Sequence, residues 1–256
     1  MDDAVLSKGG DFTMERRGVK TLVFAREAGE RVRDALLDGA GCSMVSSDGR
    51  GSLLRFECDG GHGLIRKYRR GGAARLLFKD SYLLSNRPLR EFSAHLYVAE
   101  RRLAAPKLLG VLWERSGLCF SGAICTMDAA APNLLQFLRN ASGDVDGILR
   151  ACGSLIRRMH DMDVWHADLQ VRNILAHSDG PMLLDFDNAV VGVSMTDWKR
   201  ARNLLRLRRS FRKNSLPDAF FRVLCEGYGA LEIPRFLASA YDFKGAASDV
   251  VAGRKS

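Results

Sequence analysis

The sequence predicts an α+β chain in two parts: an N-terminal five-stranded antiparallel sheet with a helix on it, then a mainly helical part. Three observations lead there. Short apolar runs between residues 42 and 68 are separated by glycine-rich turns, which is the pattern of a β-meander. Residues 147–160 and 196–213 carry apolar side chains at helical spacings of three and four. Between these regions lies Asp128-Ala129-Ala130-Ala131-Pro132, a segment suited to a boundary. The expected organisation is an N-terminal extension over 1–41, a sheet-bearing lobe over 42–128 and a helical lobe over 129–256.

In chain order, residues 1 to 17 mix charge with glycine and read as irregular, Val19–Phe24 as a strand and Ala25–Leu37 as a helix. The strands follow at Ser43–Ser46, Leu53–Cys58 and Leu64–Tyr68. The first of their turns contains Gly49-Arg50-Gly51. Two glycines there let backbone N–H groups approach oxygen atoms, as over a phosphate, although taken alone G-x-G reads as an ordinary hairpin turn. An amphipathic stretch, Ala73–Leu84, precedes a helix from Pro88 to Leu103 that buries Leu89, Phe92, Leu96 and Val98. Lys107–Glu114 and Leu118–Met127 complete the sheet around a Ser116-Gly117 turn.

Beyond the boundary a short helix carries Leu134, Leu135, Phe137 and Leu138, and the helix Gly147–His160 is a core helix. Ile174–His177 and Met182–Asp185 form a hairpin over Ser178-Asp179-Gly180-Pro181. That hairpin brings Asn173 and Asp185 to one end of adjacent strands. The remaining helices are Thr196–Lys213, Asp218–Leu224 and Pro234–Tyr241. No internal repeat or low-complexity segment interrupts them.

Composition limits the function classes. Thirty-nine Lys and Arg against 30 Asp and Glu leave a net charge of +9, which favours an anionic partner without naming it. The six cysteines include no C-x-x-C pair and no histidine at ligand spacing, so neither a zinc site nor a disulfide framework is expected, and a reduced cytosolic chain is the simplest reading. Neither a signal peptide nor a membrane span is expected, since no run approaches the ~20 apolar residues a span needs.

The chemistry concentrates in Val164-Trp165-His166-Ala167-Asp168-Leu169-Gln170-Val171-Arg172-Asn173, followed by Leu183-Leu184-Asp185-Phe186-Asp187. Two carboxylates and an amide are gathered at the ends of short strands. Phosphoryl transfer from ATP needs such a set: one carboxylate to accept the proton of an attacking hydroxyl, and an Asp/Asn pair for magnesium. The spacing H-x-D-x-x-x-x-N followed by D-F resembles that of the protein-kinase-like superfamily.

In detail the chain resembles the bacterial 3-deoxy-D-manno-octulosonic acid (Kdo) kinases of the lipopolysaccharide kinase group. The residues that carry this are Gly49-Arg50-Gly51, Ile65 to Gly72, Arg90-Glu91-Phe92, His166 to Leu169, Asp185-Phe186-Asp187, Trp198 and Asn203 to Ser210. The likeness spans residues 49 to 213.

The resemblance implies a bilobal kinase fold that uses ATP and Mg²⁺ to phosphorylate a hydroxyl, the 4-OH, of Kdo on a lipid A precursor. It implies a peripheral position at the cytoplasmic face of the inner membrane. It makes Asp168 the catalytic base and Asn173 and Asp185 the Mg²⁺ ligands. Gly49 and Gly51 become nucleotide contacts, His166 a structural residue, and Arg66 paired with Glu91 the grip on the nucleotide phosphates. Strand alternation lets only one of Arg66 and Lys67 face the nucleotide, and the register taken is that of Arg66.

Departures from protein kinases are informative. Ala167 replaces the arginine that contacts a phosphorylated activation loop, and no A-P-E follows, so switching through that loop is not expected. The other readings are another small-molecule or heptose kinase of this fold, and a silent kinase-like binding module. Lys199, Arg202, Arg206, Arg209 and Lys213 form one positive stripe, with Trp198, Ala201, Leu204, Leu205 and Phe211 opposite. The stripe fits an anionic membrane or lipid A phosphates, and fits a solvated basic face as well. No pattern for nucleic-acid binding accompanies it.

Overall fold

The structure, a computed structural model, describes residues 11–45, 53–68, 86–116, 119–140 and 143–230. Outside these lie Gly49-Arg50-Gly51, the basic and glycine residues 69–72, the stretch Ala73–Leu84 with Arg75, the turn at Gly117, and the helix expected at Pro234–Tyr241. The chain forms two compact units, Met1–Leu96 with Pro106–Ala129, and Tyr97–Ala105 with Ala130–Ser256.

In the first unit, β1 (Phe12–Arg17) and β2 (Lys20–Ala25) form a hairpin and α1 (Gly29–Asp38) follows. Then come β3 (Ser43–Val45), β4 (Leu53–Cys58), β5 (Gly61–Lys67), α2 (Arg87–Glu100, which belongs to this unit as far as Leu96), β6 (Leu108–Ser116) and β7 (Cys119–Met127). The strands make one antiparallel sheet in the order β1-β2-β6-β7-β5-β4-β3.

The expected sheet of five strands therefore has seven. β2 pairs with β6, Phe24 opposite Gly110 and Leu22 opposite Leu112, and β1 closes the outside. An apolar run at 19–24 shows that a strand exists but not which edge it joins, some 90 residues away. Residues 12–17, read as irregular, are a strand because β2 supplies the hydrogen-bonding partner. Their burial is slight, so they lack the alternation that marks a strand in sequence.

Period-two alternation divides the core. Leu22, Phe24, Phe56, Ile65, Ala123 and Cys125 pack with Val32, Ala35 and Leu36 of α1. Val23, Val111, Trp113 and Ile124 point the other way and pack with Leu89 and Phe92 of α2. Each face of the sheet thus carries a helix.

The second unit contains α3 (Leu134–Asn140), α4 (Val145–Asp161), β8 (Val164–Trp165), β9 (Ile174–Leu175), β10 (Met182–Leu183), β11 (Val190–Val191), α5 (Asp197–Lys213) and α6 (Asp218–Tyr228). Asp144 caps α4, its Oδ1 accepting from Gly147 N at 2.8 Å, so the helix starts before the Gly147 expected. Thr196 caps α5 in the same way, its hydroxyl accepting from Lys199 N at 3.4 Å.

Helix α6 runs past the expected end at Leu224 to Tyr228, and a glycine in that last turn, with one in α4, serves packing. A Cβ on Gly153 of α4 would lie 2.0 Å from Leu224 O, and one on Gly227 would lie 2.0 Å from Arg150 O. The two backbones approach more closely than any side chain allows.

Candidate active site

On β5, alternation sends Ile65 into the α1 core, 1% exposed, and Arg66 to the α2 face. Glu91 of α2 comes one position before the fully buried Phe92, and its side chain is only 3% exposed. A carboxylate so deeply placed requires partners. Arg66 Nη2 and the Tyr68 hydroxyl both donate to its Oε2. The Arg66 guanidinium also lies 5.0 Å from the centre of the Tyr68 ring. Lys67, one residue on, is exposed. Gly49 and Gly51 lie outside the described residues.

In the second unit, α4 ends at Asp161 and the chain enters β8, which pairs with β11. His166 follows, fully buried. Its Nε2 donates to Leu184 O at 2.9 Å and its Nδ1 accepts from Asp168 N at 3.2 Å, so one imidazole ties the loop to the end of β10. Burial pushes its pKa down, which keeps the ring neutral and able to accept at one nitrogen while donating at the other.

A 3₁₀ turn, Val171–Asn173, then brings the Asn173 amide back to Asp168. Asn173 Nδ2 donates to Asp168 O at 2.9 Å and to its Oδ2 at 3.4 Å. Gln170 Nε2 donates to the same Oδ2 at 2.7 Å. The Asp168 carboxylate is fixed through one oxygen and remains 52% exposed.

The hairpin β9–β10 pairs Ile174 with Leu183, and Leu184 N donates to Asn173 O at 2.9 Å. Asp185 therefore emerges beside Asn173, at φ 63°. That left-handed conformation is tolerated by Asp better than by most residues and is common where a side chain must be aimed. Asp185 Oδ1 accepts from Asp187 N at 3.4 Å.

Several residues of this site escaped the sequence reading in their roles. Asn203 of α5 donates through Nδ2 to His166 O at 2.7 Å, and Ser210 Oγ accepts from Val171 N at 3.2 Å. Arg206, between them, places Nη1 4.0 Å from Asp168 Oδ1. A signal existed: Asn203 and Ser210 stand seven residues apart, two polar groups within the buried stripe of an amphipathic helix.

Behind Asn203, its Oδ1 accepts from His160 Nε2 at 3.0 Å, and His160 Nδ1 accepts from the Tyr228 hydroxyl at 2.9 Å. Burial lowers the His160 pKa to about 4. On the same helix Trp198, expected in the apolar arc, is 45% exposed because it falls in the first turn, ahead of the core.

The donors suit Mg²⁺. With the Asn173 nitrogen engaged by Asp168, the oxygen Oδ1 is the ligand atom its amide has to offer, and Asp185 adds a carboxylate. Hard oxygen ligands, few from protein, are what Mg²⁺ takes when phosphates complete its shell. Among the described residues no cluster of three His, Cys, Asp or Glu offers another metal site, and no helix is long and apolar enough to cross a membrane.

Residues 38–228 match the model of the lipopolysaccharide kinase (Kdo/WaaP) family. The chain is 32% identical over 216 residues to a 3-deoxy-D-manno-octulosonic acid kinase of Xanthomonas campestris pv. campestris (strain B100), covering 78% of this chain and 83% of that one. It is 32% identical over 219 residues, with the same coverage, to the enzyme of that name from Stenotrophomonas maltophilia (strain R551-3). Its fold is similar to that of WaaP in complex with acyl carrier protein, with a TM-score of 0.58 at 18% identity, covering 87% of this chain and 95% of the other. By its sequence over three quarters of its length, the chain belongs to the lipopolysaccharide kinase (Kdo/WaaP) family.

Proposed function

We propose that this chain transfers the terminal phosphoryl group of ATP to a hydroxyl, the 4-OH, of Kdo on a lipid A precursor. Membership of a kinase family supports the use of ATP, and the relatives named above support the sugar acid as acceptor. The observation that carries the mechanism is Asp168. Its carboxylate is half exposed yet fixed on one side by Gln170 and Asn173, which leaves Oδ1 to receive a proton from an acceptor hydroxyl.

Asn173 has two tasks, orienting Asp168 through its nitrogen and presenting its oxygen, with Asp185, to Mg²⁺. Mg²⁺, when bound with ATP, neutralises the phosphate charge that grows during transfer. Arg66, held by Glu91 and Tyr68, grips the nucleotide phosphates with a permanent charge. His166 and Asn203 keep the loop in place. The stripe on α5 docks the protein peripherally on the anionic cytoplasmic face of the inner membrane, where the acceptor resides.

Incubating the purified chain with Mg-ATP and Kdo-bearing lipid A precursor, against a heptose-bearing acceptor, tests this. The expected product is the Kdo acceptor carrying one added phosphate by mass spectrometry. Asp168→Ala should lower kcat by about 10²- to 10⁴-fold and leave nucleotide binding intact. Undiminished turnover in that variant would remove Asp168 as the base.

A further inference from the structure

We infer that Arg206 is the residue that recognises the carboxylate of the acceptor. This rests on the acceptor being the sugar acid proposed above. The two oxygens of Asp168 have different surroundings. Oδ2 accepts from Gln170 and Asn173, the latter also the proposed metal ligand, whereas Oδ1 has, among the described residues, only the Arg206 guanidinium, at 4.0 Å, beyond hydrogen-bonding distance. Oδ1 is thus the oxygen that receives the acceptor hydroxyl. Arg206 lies on that side of the carboxylate, away from the oxygen shared with Asn173.

The placement of Arg206 is built rather than incidental. Three residues before it, Asn203 is bonded to His166 O, and four residues after it, Ser210 is bonded to Val171 N. Its stretch of α5 is therefore pinned to the catalytic loop on both sides. Two other arginines of the helix are already committed, Arg200 to Asp161 at 2.7 Å and Arg212 to Asp218 at 3.4 Å. Among the described residues Arg206 makes no such short bond, and it is 41% exposed, so its fork of N–H donors is available to a ligand.

A hydroxyl bonded to Oδ1 stands about 2.7 Å from it, which brings the remaining substituents of the same sugar ring within reach of the guanidinium. A planar carboxylate there accepts two parallel bonds from the fork. The 4.0 Å pair with Asp168 then serves as a holding position. When the acceptor binds, the guanidinium turns to the incoming carboxylate and Oδ1 faces only the hydroxyl.

The experiment compares Kdo-lipid A precursor with the same acceptor methyl-esterified at the Kdo carboxylate, using wild type, Arg206→Gln and Arg206→Lys, with melting temperatures as the folding control. Arg206→Gln is expected to raise KM for the acid acceptor by about thirtyfold with KM for ATP unchanged. Arg206→Lys should fall between. For wild type alone, esterification should cost a similar factor, and on the ester wild type and Arg206→Gln should be equal.

Equal losses on acid and ester, or a loss in KM for ATP, would overturn the inference and assign the guanidinium to the phosphoryl group. A wild-type enzyme indifferent to esterification would overturn it without any variant. If wild type phosphorylates no Kdo acceptor, the proposed activity falls and the role of Arg206 with it. If wild type is active and only the Arg206 results fail, the kinase assignment stands.

Discussion

Acidification should unlock the helical unit through His160. This imidazole accepts the Tyr228 hydroxyl at Nδ1, so protonation removes the acceptor and sets a charge beside Arg200 and Arg157, which the Asp161 carboxylate offsets in part. Its pKa is about 4 in the folded protein against 6.5 in the unfolded chain. The unfolded state therefore takes up the proton first. The stability this group contributes is complete above pH 6.5, declines between 6.5 and 4, and is fully lost below. At pH 5 the unfolded form is almost wholly protonated at this site and the folded form about one tenth, so the loss relative to pH 7 is about 2 kcal/mol. Urea unfolding followed by tryptophan fluorescence, with His160→Gln as reference, measures it. Wild type should lose about 2 kcal/mol more than the variant between pH 7 and pH 5. His95, whose pKa burial also lowers to about 4, is common to both proteins and cancels. A difference that stays flat across that range would refute the reasoning.

Other outcomes follow from particular contacts. Gly153→Ala places a methyl group 2.0 Å from the carbonyl oxygen of Leu224, a backbone atom that cannot swing aside, and should cost about 3 kcal/mol or more, read as a fall in Tm of roughly 10 °C. A melting curve that matched wild type would show that the two helices separate at little cost. Glu91→Gln keeps an acceptor for Arg66 and Tyr68 but removes the charge that holds the guanidinium. KM for ATP should rise about tenfold with the acceptor KM unchanged in initial-rate assays, and an unaltered KM for ATP would detach Arg66 from the nucleotide. The paired changes Arg202→Gln and Lys213→Gln, both at exposed positions of α5, should weaken sedimentation with anionic phospholipid vesicles by roughly thirtyfold at low salt. Turnover on a detergent-free soluble Kdo glycoside should be retained. Equal losses in the two assays would mean that the stripe does not serve a membrane.

Local chemistry was legible where it is written in short spacings. Asp168 and Asn173 stand five residues apart, and the hairpin after them is announced by Ser178-Asp179-Gly180-Pro181, so one loop bearing both side chains followed without coordinates. That Asn173 bonds Asp168, and that Gln170 takes the same oxygen, depends on a 3₁₀ turn whose φ and ψ no spacing specifies. The strand-five alternation was equally readable. It leaves either Arg66 or Lys67 on the α2 face, and the position of Glu91 on a helix 25 residues away favours Arg66.

Chain order and apolar period determined that there would be a sheet, a core helix before the loop, and an amphipathic helix after it, because those patterns are properties of neighbouring residues. Only the tertiary structure decided that β2 joins the sheet beside β6, that glycines at 153 and 227 draw α4 and α6 together, and that Asn203, Arg206 and Ser210 meet the loop of His166, Asp168 and Val171 from thirty to forty residues downstream. Such pairings are selected by packing across the whole fold. A polar residue on an otherwise apolar helix face declares that it needs a partner, and the partner is named only when the chain has folded back to meet it.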